Sequence, residues 1–203
     1  MPATIDYFFG PQSPWSFLGH ERFAALVARS KAEVRVIPCD LLHVFNASGG
    51  LPLAKRPPQR QAYRMIELRR FAAHLAIPLN LNPKFFPVSG DPGARVIIAT
   101  DLAHGAIAAL ALAGDLGHAL WCEEADLADP ATLARIAGQR GLDGATLVAA
   151  SASDAVARRY EANTQEAIER GVFGAPTYCL DGEPFWGQDR LEFLERALAR
   201  RPE

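Results

Sequence analysis

The chain has 203 residues, 49% hydrophobic and 22% charged, and its 21 Lys and Arg against 23 Asp and Glu leave a net charge of −2. This is the balance of an ordinary globular protein, long enough for one domain or a domain with an insertion. No basic block or acidic tail supports binding to nucleic acid or a membrane surface, and the longest apolar run, around Ile107 to Ala113, is too short for a bilayer span.

Ile5 to Phe9 is a short apolar run and predicts the first strand. A Gly10-Pro11 turn follows. A helix is then expected from Pro14 to about Ser30, with Ser13 as N-cap and Pro14 at its first position. Glu33 to Pro38 alternates with period two and predicts the second strand. A strand-helix-strand unit of this length implies a parallel pair with a right-handed crossover. Ser48 to Pro52, with Gly49 and Gly50, reads as a linker.

From about Pro57 to Arg170 the pattern is helical. Gln59 to Ala76 stops before Pro78, and Asn80 to Ser89 is a loop. Asp91-Pro92 caps a helix running to about Ala103, and His104-Gly105 breaks or bends it before Ile107 to Glu123. Leu133 to Arg140 follows the cap Asp129-Pro130, and Asp143 to Ala150 is short. Ser153 to Arg170 is long and ends at Gly171. Strand character returns at Thr177 to Leu180 and, past the Asp181-Gly182 turn, at Pro184 to Trp186. A last helix is expected from Gln188 or Asp189 to Arg200. The order β-α-β, helical block, β-β-α predicts an α/β fold. It is a thioredoxin-like domain (residues 1–56 and 152–203) interrupted by an all-helical insertion (57–151).

Three short segments point to chemistry. The first strand and turn deliver Ser13 to a helix mouth, where unpaired N–H groups and partial positive charge stabilise an anion such as a thiolate. Ser13-Pro14-Trp15-Ser16 has the layout of a thioredoxin active site with serine in both cysteine positions. It cannot exchange disulfides, but it can hold a thiol that arrives from outside. Read alone, Ser13 is simply a helix cap. The second segment is Gly171 to Thr177. In a thioredoxin fold, a Pro at the place of Pro176 is cis and faces that helix mouth, so Ala175 can pair with an extended peptide. Read alone, it is a helix stop and turn. The third is Trp186-Gly187-Gln188-Asp189-Arg190, where an amide and a carboxylate can project into the cleft or merely cap the last helix.

Other signatures are missing. Cys39, Cys122 and Cys179 are far apart, odd in number and without a C-x-x-C, which argues against a disulfide framework or zinc site and for a reducing, cytoplasmic setting. Asp6 interrupts the first apolar stretch and no basic segment precedes it, so no cleaved leader is expected. His43, His74, His104 and His118 have no ligand-like spacing, and no metal site is expected. Arg56, Arg60, Arg64, Arg69 and Arg70 read as a solvated helix face.

The chain resembles the 2-hydroxychromene-2-carboxylate isomerases, relatives of the kappa-class glutathione transferases. The resemblance is carried by Asp6 to Phe9 leading to Ser13 to Ser16, by Tyr63, Glu67, Leu68 and Arg70 with Ile77-Pro78, by Gly171 to Thr177, and by Trp186 to Arg190. It covers nearly the whole chain. It implies glutathione as cofactor, its sulfur held by the catalytic Ser13. Ala175, just before Pro176, would pair with the cysteinyl backbone, with Val172 or Phe173 lining the same groove. Gln188 and Asp189 would bind the γ-glutamyl end. Arg60, where the family more usually has Lys, would meet the glycyl carboxylate. The resemblance further implies a homodimer acting on a small aromatic substrate in aromatic-hydrocarbon catabolism. The aromatic substrate needs an apolar cleft, which the helical block is positioned to supply, and Phe85, Phe86, Trp15 and Tyr63 are the candidates to line it. A transferase using the same thiolate, and a non-catalytic peptide-binding module, are the other readings these motifs allow.

Overall fold

The computed structural model describes residues 3–201; residues 1–2 and 202–203, the outermost of the predicted thioredoxin-like unit, lie outside it. Four strands form one sheet in the order β2-β1-β3-β4: β1 (Thr4–Phe9), β2 (Glu33–Pro38), β3 (Thr177–Leu180) and β4 (Glu183–Trp186). β1 runs parallel to β2, in register Tyr7 with Val36, and antiparallel to β3, Tyr7 with Tyr178. Helix α1 (Pro14–Ser30) makes the crossover between β1 and β2. This is the thioredoxin-like α/β order expected from the sequence.

β1 is buried on both faces, and its alternation divides two cores. Ile5, Tyr7 and Phe9 enter the larger one, where Tyr7 stacks on Phe9 at 4.3 Å and on Tyr178 at 5.3 Å. Phe8 enters the smaller one with Ile37, Val44, Ala167 and Val172. Asp6 shares Phe8's face and is neutralised there by Arg35 at 2.9 Å and Arg170 at 2.5 Å.

Between β2 and α8 (Asp154–Glu169) lie α2 (Leu41–Ser48), α3 (Pro58–His74), α4 (Asp91–His104), α5 (Ala106–Glu123), α6 (Pro130–Gln139) and α7 (Gly144–Ser151). The core residues of α4 to α7 join Ile5, Tyr7 and Phe9 in one continuous cluster. The chain ends in α9 (Leu191–Ala199), reached through a 3-10 turn at Gln188–Arg190.

The structure adds α2, which the sequence reading passed over up to its linker. Its N-cap is Asp40, whose carboxylate accepts from the N–H groups of Leu42 (2.8 Å) and His43 (3.2 Å). α8 holds its start: Thr164 Oγ1 accepts from Asp40 N at 3.0 Å, and Asn163 Nδ2 donates to Pro38 O at 3.1 Å. Gly49 ends it at φ 75°, the left-handed conformation glycine tolerates. A second difference is α4, whose cap is Gly90. Asp91 is its first residue and accepts from Tyr160 OH at 2.8 Å instead. Gly105, at φ 82°, separates α4 from α5.

Candidate active site

The Gly10-Pro11-Gln12 turn is tight because Gly10 lies against α2: a Cβ there would sit 2.7 Å from Leu41 Cδ1. Ser13 N donates to Gly10 O at 2.9 Å and closes the turn. Ser13 Oγ accepts from Ser16 N at 3.2 Å, which leaves its hydroxyl hydrogen free to donate elsewhere. Ser13 lines a cleft; Ser16 does not. Ser16 faces inward, beside Tyr7 and His20.

The cleft has two lobes that share Trp15, Arg56, Arg60, Arg64, Ala175 and Trp186. The larger, of about 740 Å³, holds Ser13 and is walled by Leu42, Phe45, Phe86, Val88 and Phe173 among others. The smaller, of about 550 Å³, reaches Tyr63, Gln188, Asp189 and Arg190.

Ala175 lies at the junction of the lobes, and the Ala175-Pro176 peptide is cis, as expected. Gly187 N donates to Pro176 O at 2.9 Å, which ties the last motif to the second. Trp186 packs edge-on against Phe173 at 4.6 Å, and any side chain at Gly174 would collide with the Trp186 indole, 2.5 Å from the position of its Cβ. Residues 13, 175 and 186–190, remote in the chain, therefore converge.

Two expected cofactor residues sit differently. Val172 is 3% exposed in the smaller core, and its N–H is used by Ala167 O at 2.9 Å. Phe173, not Val172, lines the cleft. Gln188 reaches the smaller lobe but is only 2% exposed, and its amide is drawn inward. Arg22 Nη2 donates both to Gln188 O, at 3.0 Å, and to Gln188 Oε1. Asp189 is the carboxylate that remains at the surface of this turn, 2.5 Å from Arg190.

The arginine run is not a uniform solvated face. Arg69 and Arg70 are exposed, and Arg70 pairs with Glu67 at 2.7 Å. Arg56, Arg60 and Arg64 line both lobes, and among the described residues none has a carboxylate within ion-pair distance. Burial, with the charge of Arg56, pushes the Arg64 guanidinium down to about 10. Of the expected aromatics, Trp15, Tyr63 and Phe86 line the cleft, whereas Phe85 packs against the core. Sequence reasoning missed Leu42 and Phe45 because it missed α2. Asp40 ahead of Leu41-Leu42 and Val44-Phe45 was the available signal. No local signal links Arg22 to Gln188, 166 residues away.

A family model for the DSBA-like thioredoxin domain matches residues 4–199. A 2-hydroxychromene-2-carboxylate isomerase of Sphingobium xenophagum is 30% identical over 199 residues, covering 98% of this chain and 99% of that protein. The chain belongs to the 2-hydroxychromene-2-carboxylate isomerase family, built on a DsbA-like thioredoxin domain. A solved structure of another such isomerase, also 30% identical, superposes with a TM-score of 0.78 over 97% of this chain and 95% of that one. Human glutathione S-transferase kappa 1 is 24% identical over 212 residues, 99% of this chain and 93% of that protein. Family membership carries the isomerase class. Ser13 and Ser16 leave no dithiol at the helix mouth, so disulfide exchange there has no nucleophile.

Proposed function

We propose that the protein is a glutathione-dependent isomerase that interconverts 2-hydroxychromene-2-carboxylate and trans-o-hydroxybenzylidenepyruvate. The observation that carries the reading is Ser13: a hydroxyl with a free donor hydrogen, at a helix N-terminus, opening on a cleft that also holds Ala175, Arg60 and Asp189. These groups fit a tripeptide thiol. Ser13 offers a hydrogen bond to sulfur, Ala175 offers backbone, Arg60 is a cation with no carboxylate partner among the described residues and suits the glycyl carboxylate, and Asp189 is a carboxylate for the γ-glutamyl ammonium.

When bound, glutathione supplies a thiolate that adds to the substrate's conjugated double bond and leaves again, so the tripeptide is returned unchanged. The protein's part is to keep that sulfur ionised and aligned. A free thiol has a pKa of about 8.5 and is mostly protonated at neutral pH. Donation by Ser13 and the positive end of α1 both favour the anion. No general base on the protein is required. Phe86, Leu42 and Phe45 give an aromatic ring an apolar wall beside Ser13. In this reading the protein acts as a cytoplasmic homodimer; light scattering tests the dimer, with twice the chain mass expected and the mass of one chain the contrary result.

The test is calorimetric titration of glutathione into the wild type and Ser13→Ala, with turnover of the hydroxychromene followed in parallel. Binding to the wild type with catalytic loss of about 100-fold or more in Ser13→Ala supports the reading. Failure of the wild type to bind glutathione overturns it. Isomerisation without loss of free glutathione separates it from a kappa-like transferase, which would consume the thiol.

A further inference from the structure

We infer that Arg64 selects the acceptor: it binds the carboxylate of a planar aromatic acid on the Phe86 side of the larger lobe, next to Ser13. The inference rests on the reading above, because the reacting sulfur at Ser13 fixes where an acceptor has to lie.

The three cleft arginines are not equivalent. Arg56 is committed: its Nε donates to Leu51 O at 2.8 Å and its guanidinium lies over Phe45 at 5.7 Å. Arg60 is exposed and open to the junction of the lobes. Arg64 is half-buried, and among the described residues its only partners are Met65 Sδ at 3.6 Å and the Phe86 ring at 5.6 Å. Phe86 is itself fixed, packed at 4.8 Å on the fully buried Trp121. The acid one turn along α3, Glu67, is engaged by Arg70. A half-buried cation without an anion is an incomplete arrangement, since charge taken from water is normally paired.

Contact with a ring face takes up no hydrogen-bond donor, so beyond the Nη1 contact with Met65 Sδ the N–H groups of the Arg64 guanidinium are open. They form the fork that grips a carboxylate in bidentate fashion. Phe86, Pro87 and Val88 continue the apolar surface from that fork. The geometry therefore fits an aromatic body carrying a carboxylate at one edge. A neutral aromatic electrophile of the same shape would cover Arg64 and leave it unpaired, which is how a site rejects a near-isostere. The lowered affinity of the guanidinium for its proton, caused chiefly by burial, is relieved by the same carboxylate.

The test uses two unreactive, isosteric probes, 2-naphthoate and the neutral 2-naphthamide, titrated by fluorescence into the protein with and without saturating glutathione. The wild type is expected to prefer naphthoate by about tenfold or more. Arg64→Met removes that preference while the glutathione dissociation constant stays unchanged, and Arg64→Lys retains part of it. Arg60→Met does the reverse, weakening glutathione and sparing the preference. Equal binding of the two probes by the wild type overturns the inference, as does a preference that survives in Arg64→Met. Loss of glutathione binding in Arg64→Met reassigns Arg64 to the tripeptide and also overturns it. A wild type that ignores glutathione but keeps an Arg64-dependent preference refutes the proposed activity and leaves the anion site standing.

Discussion

The two walls of the cleft are built to different standards. The wall that carries Ser13, Ala175 and Trp186 grows out of β1, α1, β3 and β4, and its backbone is continuous with side chains that are almost wholly buried. Tyr7, Phe23 and Tyr178 form an aromatic cluster beneath it, with ring centroids 4.6 to 5.3 Å apart. The facing wall is α3 with the segment before it. Leu68 is the single buried residue of that helix, and Tyr63 and Ile66 are exposed. Its tie to the other wall is an edge contact between Phe71 and Trp15 at 5.9 Å. In the proposed function, the group that would hold one sulfur in one place sits on the rigid wall. The groups that would accept and release ligands sit on the wall with few buried contacts, where local opening is easiest.

The largest test of that contrast is mechanical. Leu116→Ala, in the fully buried middle of α5, is expected to cost about 3–5 kcal/mol and to speed hydrogen exchange throughout the sheet and α1. Leu68→Ala should speed exchange in α3 and leave the sheet protected, with a smaller shift of the unfolding midpoint. Equal loosening of both walls by Leu68→Ala would break the comparison.

The next test is acid. His20 is buried on α1 behind the rigid wall, and desolvation lowers its pKa to about 4 from the ordinary 6.5. The unfolded chain therefore takes up this proton first as pH falls. Stability from the neutral imidazole is complete above about pH 6.5 and is lost between 6.5 and 4, on the order of 3 kcal/mol. His20→Gln should flatten this part of the stability–pH curve relative to the wild type, as read by denaturant melts at each pH. Parallel curves would show that the rigid wall does not depend on a neutral His20.

The smallest expected effect concerns the 3-10 turn of Gln188–Arg190, which Arg22 fastens to α1 through two bonds from one nitrogen. Arg22→Met is predicted to weaken glutathione by about tenfold, the scale of one charged hydrogen bond. Cysteinylglycine, which lacks the γ-glutamyl end, should bind both proteins alike. If both ligands weaken equally, Arg22 supports the whole wall and not this turn.

Much of this was legible in the chain. The strands announce themselves by alternation and by Gly-Pro and Asp-Gly turns, and most helices by a side-chain cap or a proline at the start. Ser13 and Ala175 were readable because each is fixed by its neighbours in sequence. Gln188 was readable as a position but not as an orientation, since Arg22 sets that from another element. The family resemblance assigns Val172 or Phe173 to the groove and does not separate the two. Which of two adjacent residues faces the core depends on Ala167 and Phe8, not on local pattern. The arginine run looked solvated because helical spacing shows which residues share a face but not what that face meets.

The central claim is that Ser13, and not Ser16, holds an ionised thiol at the mouth of α1. The direct measurement is the ultraviolet thiolate band of the glutathione complex against pH, for the wild type, Ser13→Ala and Ser16→Ala. The account predicts a bound thiol pKa below the free value of about 8.5 in the wild type and Ser16→Ala, and a return toward it in Ser13→Ala. A shift in Ser16→Ala as large as that in Ser13→Ala, or none in Ser13→Ala, would contradict it.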